Sequence, residues 1–461
     1  MYKHKKFDII NGKGCHMSYK RIDRSLKDID TKSIENQEYK NNNNAFTRDR
    51  KMGFKDFIWY LIFQKGRTTS MELDEYLKNK NGTYEISISK QAFSKQRFNL
   101  KPQIFIDLYK DYIIDFYENY PEEVKTYKGY YILAIDGSMV EIPNTEELRE
   151  EFKTQKNSSG HRESARARVS GIYDIENEFM IDATIADCGQ GEKSLAKANI
   201  EKAGKIIDLK KSIIIFDRGY PGIDLIWYLE KLGVKYIFRL QSTNMYEKEK
   251  RSMATNDEWV NLKVDGDRLR KIEEETVRQE LKEKKTIPVR MSKVTLDTGE
   301  IEYLLSNILE EIIPADEMKE AYFKRWKIEI GYDVLKNKLH IENFTGKTQI
   351  TIEQDFYAQI YTFNVLQDIK HTANVELQEK HKNKNLKYEY KPNINILAGW
   401  LKNILIAMIF VNTKEERRKL YDIIIEKAEK NLVAIKPNRA YERKHDTSKR
   451  NKYTTNLRNN M

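Results

Sequence analysis

The segment from residue 46 to residue 126 has the hydrophobic pattern of short helices. FKDFIWYLIF (54–63) is an apolar stretch of helical length. Ser70 and Ser89 can each cap a further helix, over MELDEYLKN and KQAFSKQRFNL, with Asn81-Gly82 as the turn between them. The pattern predicts a helical domain over 46–126.

From Tyr130 the pattern changes to strands. The predicted strands are YYILAID (130–136), ARVSGIYD (167–174), EFMIDATIAD (178–187), KSIIIFD (211–217) and VKYIFRL (234–240). Helical patterns at 192–206 and 223–232 separate the last three strands. Three antiparallel strands, a helix, a strand, a helix and a strand indicate a mixed α/β sheet with helices on its faces, the first part of a core domain over 127–240.

The rest of the chain interrupts this core and then returns to it. Residues 241–312 are charged and carry strand signals around the turn Asp297-Thr298-Gly299, so we predict a β-rich insertion. Residues 313–345 bring a core helix back, and 346–435 read as C-terminal helices. The two ends are polar: we expect a disordered arm over 1–45 and a basic tail over 436–461.

The helix YFKRWKIEIGYDVLK (322–336) carries the most informative polar pattern. At about 100° per residue, Tyr322, Arg325, Glu329 and Lys336 fall within an arc of roughly 60°. Apolar residues lie on both flanks: Phe323, Trp326, Ile330 and Val334 on one, and Ile328, Leu335 and Leu339 on the other. Because such a helix is mostly buried, we expect the four polar residues to line a crevice rather than a solvated face.

Two acidic residues end predicted strands, Asp136 and Asp217, and a third acid, Glu329, lies on the later helix. Crevices form at the carboxyl ends of strands in α/β sheets. Three carboxylates there would repel one another unless cations neutralise them, and Mg²⁺ or Mn²⁺ suits oxygen ligands. An Asp before Gly is most often a plain turn residue, so the joint pattern carries the hypothesis. Spacing alone leaves Asp187 open as a further participant.

Composition adds a partner class. The 461 residues include 82 Lys and Arg against 71 Asp and Glu, a net charge of +11, which favours a polyanionic partner. A lysine-rich codon bias is the alternative explanation. The 2 cysteines, Cys15 and Cys188, lack the spacing of a zinc site or a disulfide framework, which indicates a reducing compartment. No targeting or membrane segment is evident, and we expect a cytoplasmic protein.

The helix after Ser89 has the composition of a DNA-reading element. Its candidate residues are Lys90, Gln91, Ser94, Lys95 and Arg97, and phosphate or base contacts from them would make 46–126 a DNA-binding domain. An ordinary helical bundle with a solvated face explains the same pattern equally well.

Three sequence motifs resemble those of DDE transposases of the "insertion sequence four" type. This family is marked by an Asp-Gly-Ser/Thr strand end, an Asp-Arg-Gly-Tyr strand end and Tyr-x2-Arg-x3-Glu-x6-Lys. This chain reads AIDGSMVEIP (134–143), FDRGYPG (216–222) and YFKRWKIEIGYDVLK, and the last matches at every defining position. The resemblance covers roughly residues 50 to 445.

The resemblance implies an RNase H-like catalytic core and a two-metal site in which Asp136, Asp217 and Glu329 hold Mg²⁺ or Mn²⁺. It implies that Tyr322, Arg325 and Lys336 bind transposon-end DNA, and Arg218 of the second motif is a further candidate. Members hydrolyse the phosphodiester at the transposon end, and the freed 3′-OH attacks target DNA. They act in pairs, so we expect a homodimer on DNA, associated with the nucleoid. Some flip a base onto an aromatic residue of the insertion, for which Trp259 is a weak candidate beside ordinary packing.

Two other functions fit parts of the sequence. A catalytically inactive DNA-binding regulator derived from a transposase would bind the ends without cleaving them, although the intact acidic triad argues against it. A two-metal phosphohydrolase acting on a small substrate would also use Asp-Gly turns, but it would need neither the basic tail nor the flanking helical domains.

Overall fold

The computed structural model describes residues 17–156, 163–243 and 245–436. The helices of these residues are α1 Met17–Ile34, α2 Phe54–Ile62, α3 Thr69–Asn81, α4 Lys90–Arg97, α5 Gln103–Asn119, α6 Glu146–Phe152, α7 Glu192–Ala203, α8 Ile223–Leu232, α9 Glu247–Ser252, α10 Gly266–Arg270, α11 Glu275–Lys284, α12 Met318–Phe323, α13 Trp326–Asp333, α14 Gln349–His381, α15 Ile394–Phe410 and α16 Lys414–Lys430. Short 3-10 turns lie at Leu209–Lys211 and Ala315–Glu317, and a π-helical turn at Val334–Lys338.

The strands of the described residues are β1 Tyr131–Glu141, β2 Thr154–Lys156, β3 Glu163–Asp174, β4 Met180–Asp187, β5 Ser212–Phe216, β6 Lys235–Arg239, β7 Asp257–Lys263, β8 Thr286–Thr295, β9 Ile301–Ser306, β10 Glu389–Pro392 and β11 Leu432–Ile435. The chain forms two compact units. One comprises the described parts of 1–116 and 357–461, and the other comprises those of 117–356.

The first unit is helical apart from the small antiparallel pair of β10 and β11. The predicted helix after Ser89 is α4, and the Ser89 side chain accepts a hydrogen bond from the Ala92 N–H at 3.2 Å. α15 lies in the segment that was predicted to form C-terminal helices, and Leu401 and Leu405 on it are buried. No helix within the described ranges is long and apolar enough to cross a membrane.

The predicted disordered arm over 1–45 is wrong from residue 17 onward. α1 runs from Met17 to Ile34, and its side chains Ile22, Leu26 and Ile29 are buried. Their spacings of four and three residues form one helical stripe. The many lysines and aspartates between them concealed that stripe, because average polarity does not report periodicity.

A buried ion pair also holds α1 in place. The Arg21 guanidinium donates to both carboxylate oxygens of Asp368 on α14, at 2.8 Å from Nε and 2.5 Å from Nη2. The Tyr112 hydroxyl donates to the same carboxylate at 2.6 Å. A charge pair buried this fully is stable only when both partners are present.

The second unit is built on a nine-stranded sheet. Its order is β2-β3-β1-β5-β6-β9-β8-β7, and β4 pairs with β3. β1, β5 and β6 are parallel, whereas β3 and β4 are antiparallel to their neighbours. The first five core strands in chain order, β1, β3, β4, β5 and β6, therefore lie in the order of an RNase H-like core, and the predicted fold class is confirmed.

The structure differs from the prediction at the end of the first strand. β1 does not end at Asp136 but continues to Glu141, because β3 pairs with it over this whole length, from Leu133 opposite Asp174 to Glu141 opposite Arg166. The pairing of β1 with β5 stops earlier, at Ile135 opposite Phe216. Asp136 thus lies where β1 loses its neighbour on one side.

The segment from 241 to 312, which was predicted as a β-rich insertion, extends the core sheet. β9 pairs with β6, and β8 and β7 follow beyond it. The predicted hairpin is present, with Gly299 at φ +83° in the turn between β8 and β9. The segment also carries α9, α10 and α11, so its strands account for only part of it.

We predict that Arg21→Ala lowers the free energy of unfolding by about 3 to 5 kcal/mol, because it leaves the Asp368 carboxylate buried without its cation. Chemical denaturation followed by circular dichroism measures this change. The control is Lys27→Ala, which removes an exposed lysine of the same helix that pairs with Asp23, and it should change stability by less than about 0.5 kcal/mol. Equal effects of the two substitutions would contradict the packing of α1.

Candidate active site

Strand pairing brings the two motif aspartates together. β1 and β5 are parallel neighbours, and their pairing ends with Ile135 opposite Phe216. Asp136 and Asp217 are the next residues of the two strands, so they leave the paired segment side by side at the same edge. The Asp136 carboxylate accepts a hydrogen bond from the Gly137 N–H at 2.9 Å.

α12 and α13 bring the third motif to this edge. The Tyr322 hydroxyl donates to the Asp217 carboxylate at 3.3 Å. Arg325 Nη2 lies 2.7 Å from a Glu329 carboxylate oxygen, and Arg325 Nη1 lies 3.7 Å from Asp136 Oδ2. Asp136, Asp217, Tyr322, Arg325 and Glu329, which are 193 positions apart at most in the sequence, therefore form one side-chain cluster.

Burial dominates the electrostatics of this cluster. It raises the pKa of Asp136 to about 6, with smaller contributions from Arg325, which lowers it, and from Asp217 and Glu329, which raise it. Burial also raises the pKa of Tyr322 to about 12. For Arg325 the desolvation is outweighed by Tyr322 and the acidic residues, and its pKa is raised. The Asp136 carboxylate is thus held where its negative charge is costly without a cation.

Lys336 contacts β1 at a position further along the strand than Asp136. Its ammonium donates to the Met139 carbonyl at 2.7 Å, from within the π-helical turn at Val334–Lys338. Burial lowers the pKa of Lys336, and Glu342 and Glu141 partly offset this. The polar residues that were predicted to share one helical face therefore contact different positions of β1. Arg325 lies beside Asp136, and Lys336 contacts Met139, three residues further along the strand.

A tyrosine that the sequence did not single out attaches the helix to the strands. The Tyr332 hydroxyl donates to the Asp136 carbonyl at 2.9 Å and accepts from the Gly171 N–H. Asp136 and Gly171 are opposite residues of β1 and β3. A Cβ on Gly171 would lie 3.2 Å from this hydroxyl and 2.6 Å from the Met180 sulfur, so a glycine leaves room for both. Tyr332 lies three residues after Glu329 on α13, so its hydroxyl attaches the helix that carries Glu329 to β1 and β3.

The predicted burial of both helical flanks is wrong for one of them. Ile328, Leu335 and Leu339 are buried, as expected. On the other flank Phe323 is 46% exposed, Trp326 49% and Ile330 54%, while Val334 is buried. The residues at 323, 326 and 330 lie on the face of the helix opposite to the contact with β1, which periodicity alone could not assign.

The other predicted DNA-binding residues have different fates. Arg218 is exposed directly after Asp217, and Lys95 is exposed on α4. Arg97 is only 2% exposed, so it does not lie on the surface that was predicted to read DNA. Its i+4 spacing from Phe93, which is also buried, places it on the packed side of α4. Trp259 is half-exposed on β7, opposite Arg290 of β8.

Further charged and polar groups surround the two aspartates. Arg239 Nη1 lies 4.0 Å from Asp217 Oδ1, and Arg239 Nη2 contacts the Glu302 carboxylate. Arg168 pairs with Glu192 at 2.6 Å. The Tyr220 hydroxyl is buried and has no hydrogen-bond partner within the described ranges; burial, then Asp136 and Glu192, raises its pKa. Asp187, left open by the spacing, pairs instead with Lys153 at 2.7 Å.

The donor set of the cluster suits a hard divalent cation, since three carboxylates supply only oxygen ligands. In the part of the chain that the structure describes, no group of three or more His, Cys, Asp or Glu side chains is arranged to hold an ion. The Arg325 guanidinium lies between Asp136 and Glu329 instead. The three carboxylates fit the ligand chemistry of a divalent cation. In this structure the positive charge beside Asp136 and Glu329 is that of Arg325.

Comparisons with known proteins agree with this architecture. A family model described as "Transposase DDE domain" matches residues 127–365, more than half of the chain and the whole span that contains Asp136, Asp217 and Glu329. The chain belongs to this transposase DDE domain family, and the resemblance to "insertion sequence four" transposases is confirmed.

Two individual proteins are similar to this chain. The transposase InsG for insertion sequence element IS4 from Escherichia coli (strain K12) is 23% identical over 246 residues, which is 52% of this chain and 52% of that protein. The chain thus spans about half the length of this curated relative. A cryo-EM structure of a piggyBac transposase synaptic complex with hairpin DNA aligns at 13% identity with a TM-score of 0.44, over 94% of this chain and 88% of that one.

We predict that Asp136→Asn stabilises the metal-free protein at about pH 7.5 by roughly 1 to 2 kcal/mol. The pKa of Asp136 in the folded protein is about 6, above its ordinary value of 3.8, so ionisation costs the folded state free energy. The gain should be complete above pH 6 and should shrink as the pH falls from 6 towards 4. Thermal unfolding in EDTA at several pH values tests this, with Asp368→Asn, which removes the carboxylate that Arg21 contacts, as a destabilising comparison.

We also predict that Tyr332→Phe lowers stability by about 1 to 3 kcal/mol, because it removes both hydrogen bonds of a buried bridging hydroxyl. Denaturant titration measures the loss. Tyr84→Phe, which changes an exposed tyrosine, is the matched control and should have an effect below about 0.5 kcal/mol. A Tyr332→Phe protein as stable as the control would show that the hydroxyl does not hold β1 and β3 to the helix.

Proposed function

We propose that this chain is a DNA transposase that hydrolyses the phosphodiester bond at transposon ends and then joins the freed 3′-OH to target DNA. The observation that carries the proposal is the convergence of Asp136, Asp217 and Glu329 from β1, β5 and α13 at one edge of an RNase H-like sheet. Membership of the transposase DDE domain family supports it independently.

The three carboxylates are the proposed ligands of Mg²⁺, with Mn²⁺ as an alternative. When bound between them, the two cations would lower the pKa of an attacking hydroxyl and stabilise the charge on the leaving oxygen. The raised pKa of Asp136 supports this role, because a buried carboxylate of this kind gains most from a nearby cation. Tyr332 and the Gly137 N–H hold the backbone and one oxygen of Asp136, so they orient this ligand.

The cationic residues around the triad are the proposed receptors of DNA phosphates. Arg325 has a planar guanidinium that suits two oxygens of one phosphate, and Lys336 supplies a point charge further along β1. Tyr322 can donate to a phosphate or stack on a base beside Asp217, and Arg218 is exposed directly after that residue. Lys95 on α4 is a candidate contact of the first unit, and the net charge of +11 favours polyanions overall.

The relative from Escherichia coli is named as a transposase for an insertion sequence element. The match spans about half of that protein. The DNA substrate of this chain is therefore our proposal. We expect the two ends of one element, carried as inverted repeats, to be bound by two copies of the chain.

We predict that Glu329→Gln and Asp217→Asn each reduce cleavage of element-end DNA by roughly 10³-fold or more, because each removes a negative metal ligand. The substrates are labelled duplexes from the DNA that flanks the gene, incubated with purified protein in Mg²⁺ and in Ca²⁺. Both variants should keep affinity for the ends within about a factor of 10. Asp333→Asn, which changes an exposed acid on the same helix as Glu329, should cleave at the wild-type rate.

The remaining outcomes separate the alternatives. Full cleavage by Glu329→Gln would remove this residue from the mechanism. Specific binding of the ends by the wild-type protein without cleavage in Mg²⁺ or Mn²⁺ would identify a DNA-binding regulator. Contacts with DNA phosphates make affinity fall steeply with ionic strength. If the protein shows no such salt-sensitive DNA binding, a small phosphate ester becomes the candidate substrate.

A further inference from the structure

Arg325 occupies the centre of the acidic cluster. Its Nη2 is 2.7 Å from Glu329, its Nη1 is 3.7 Å from Asp136, and the residue is only 5% exposed. Asp217 acts on the same guanidinium through its charge. One buried cation therefore contacts Glu329 and Asp136, while Arg239 lies 4.0 Å from Asp217.

This guanidinium is incompletely satisfied, unlike a structural arginine of the same unit. Arg290 donates from Nε and Nη2 to Asp257 and from Nη1 to the carbonyls of Ile308 and Ile313. Arg325 pairs with Glu329 through Nη2 and interacts with Tyr322, but its Nε is buried with no hydrogen-bond partner within the described ranges. A buried guanidinium with an unused donor is less well held than one whose donors are all paired.

Arg325 and a divalent cation compete for Glu329. If Arg325 remains 2.7 Å from a carboxylate that also ligates a divalent cation, the two positive charges repel each other at close range. A phosphate group offers Arg325 the paired oxygens that it lacks here. Transfer of the guanidinium to a phosphate would leave the carboxylate free.

We propose that Arg325 exchanges Glu329 for a DNA phosphate, and that this exchange makes DNA and divalent cations bind cooperatively. The inference rests on the proposed function for the nature of the polyanion. Without DNA the arginine competes with the cation for Glu329. With DNA the arginine is engaged elsewhere, and the cation gains its third carboxylate.

Cooperativity of this kind is reciprocal. If the DNA end tightens cation binding by a given factor, the cation must tighten DNA binding by the same factor. Couplings between sites are commonly 5- to 150-fold, and we expect roughly 10-fold here. The DNA side of the cycle is measured with Ca²⁺ in place of Mg²⁺, with which we expect binding without cleavage.

The test measures Mn²⁺ affinity by electron paramagnetic resonance with the full chain, with and without an element-end duplex. Wild-type protein should bind Mn²⁺ roughly 10-fold more tightly with the duplex. Arg325→Gln should bind Mn²⁺ about that much more tightly than wild type without DNA, and the duplex should add little. Lys327→Gln is the charge-matched control: it loses one cation from the same helix, where Lys327 donates to the Ile175 carbonyl, and it should behave as wild type does.

Arg325→Lys and the wild-type cycle guard against misfolding of the glutamine variant. Lysine retains the charge without the planar fork, so its Mn²⁺ affinity without DNA should stay closer to wild type than that of Arg325→Gln. The wild-type affinity for the duplex with and without Ca²⁺ gives the same coupling without any substitution.

The outcomes distinguish this inference from the proposed function. Equal Mn²⁺ affinities of wild type and Arg325→Gln without DNA, or no coupling in the wild-type cycle, would overturn the exchange even if the protein cleaves element ends. Coupling that disappears in Arg325→Gln would support the exchange even if cleavage is never seen.

Discussion

The parallel pairing of β1 with β5 determines where the acidic residues lie. Ile135 is the last residue of β1 opposite β5, and Phe216 is its partner. A shift of this register by one residue would move Asp136 away from Asp217 and would turn its side chain to the other face of the sheet. β5 is buried throughout, with the sequence SIIIF, so its register is fixed by apolar packing on both faces. The geometry of the cluster is thus set by hydrophobic residues that take no part in its chemistry.

The third acid depends on a different kind of contact. Glu329 comes from a helix that the chain reaches only after the segment from 241 to 312, so no local interaction can place it beside β1. Buried Ile328 packs this helix, and Tyr332 and Lys336 donate to backbone carbonyls of Asp136 and Met139. Backbone carbonyls are suitable anchors because their positions are fixed by the strand. The helix is therefore aligned along β1 at two points, and Glu329 is held between Arg325 and the first of these anchors.

Local pattern predicted the elements well, and long-range packing decided what the pattern left open. The continuous apolar run at 211–217 and the helix at 223–232 appear as β5 and α8, because burial on both faces and a Gly233 end in the left-handed region are local signals. The convergence of Asp136, Asp217 and Glu329 was a hypothesis based on two predicted strand ends and the polar face of a later helix. Three features escaped: the amphipathic stripe of α1, the extension of β1 beyond Asp136, and the exposed flank at Trp326. Each depends on a partner that is distant in sequence. The partner is α14 for α1, β3 for the extension of β1, and β1 for the helix that carries Trp326.

The buried charges of this chain divide according to how completely they are paired. Arg290 donates to Asp257 and Arg21 donates to both oxygens of Asp368, which also accepts from Tyr112; such pairs favour one structure because breaking them leaves a buried charge uncompensated. The acidic cluster of the candidate site differs, since Arg325 contacts both Glu329 and Asp136 and the pKa of Asp136 is raised by its burial. Stability alone would favour removing one of these acids, as active sites commonly trade stability for function. We propose that a divalent cation supplies the additional positive charge at these acids and that a DNA phosphate takes the arginine in exchange.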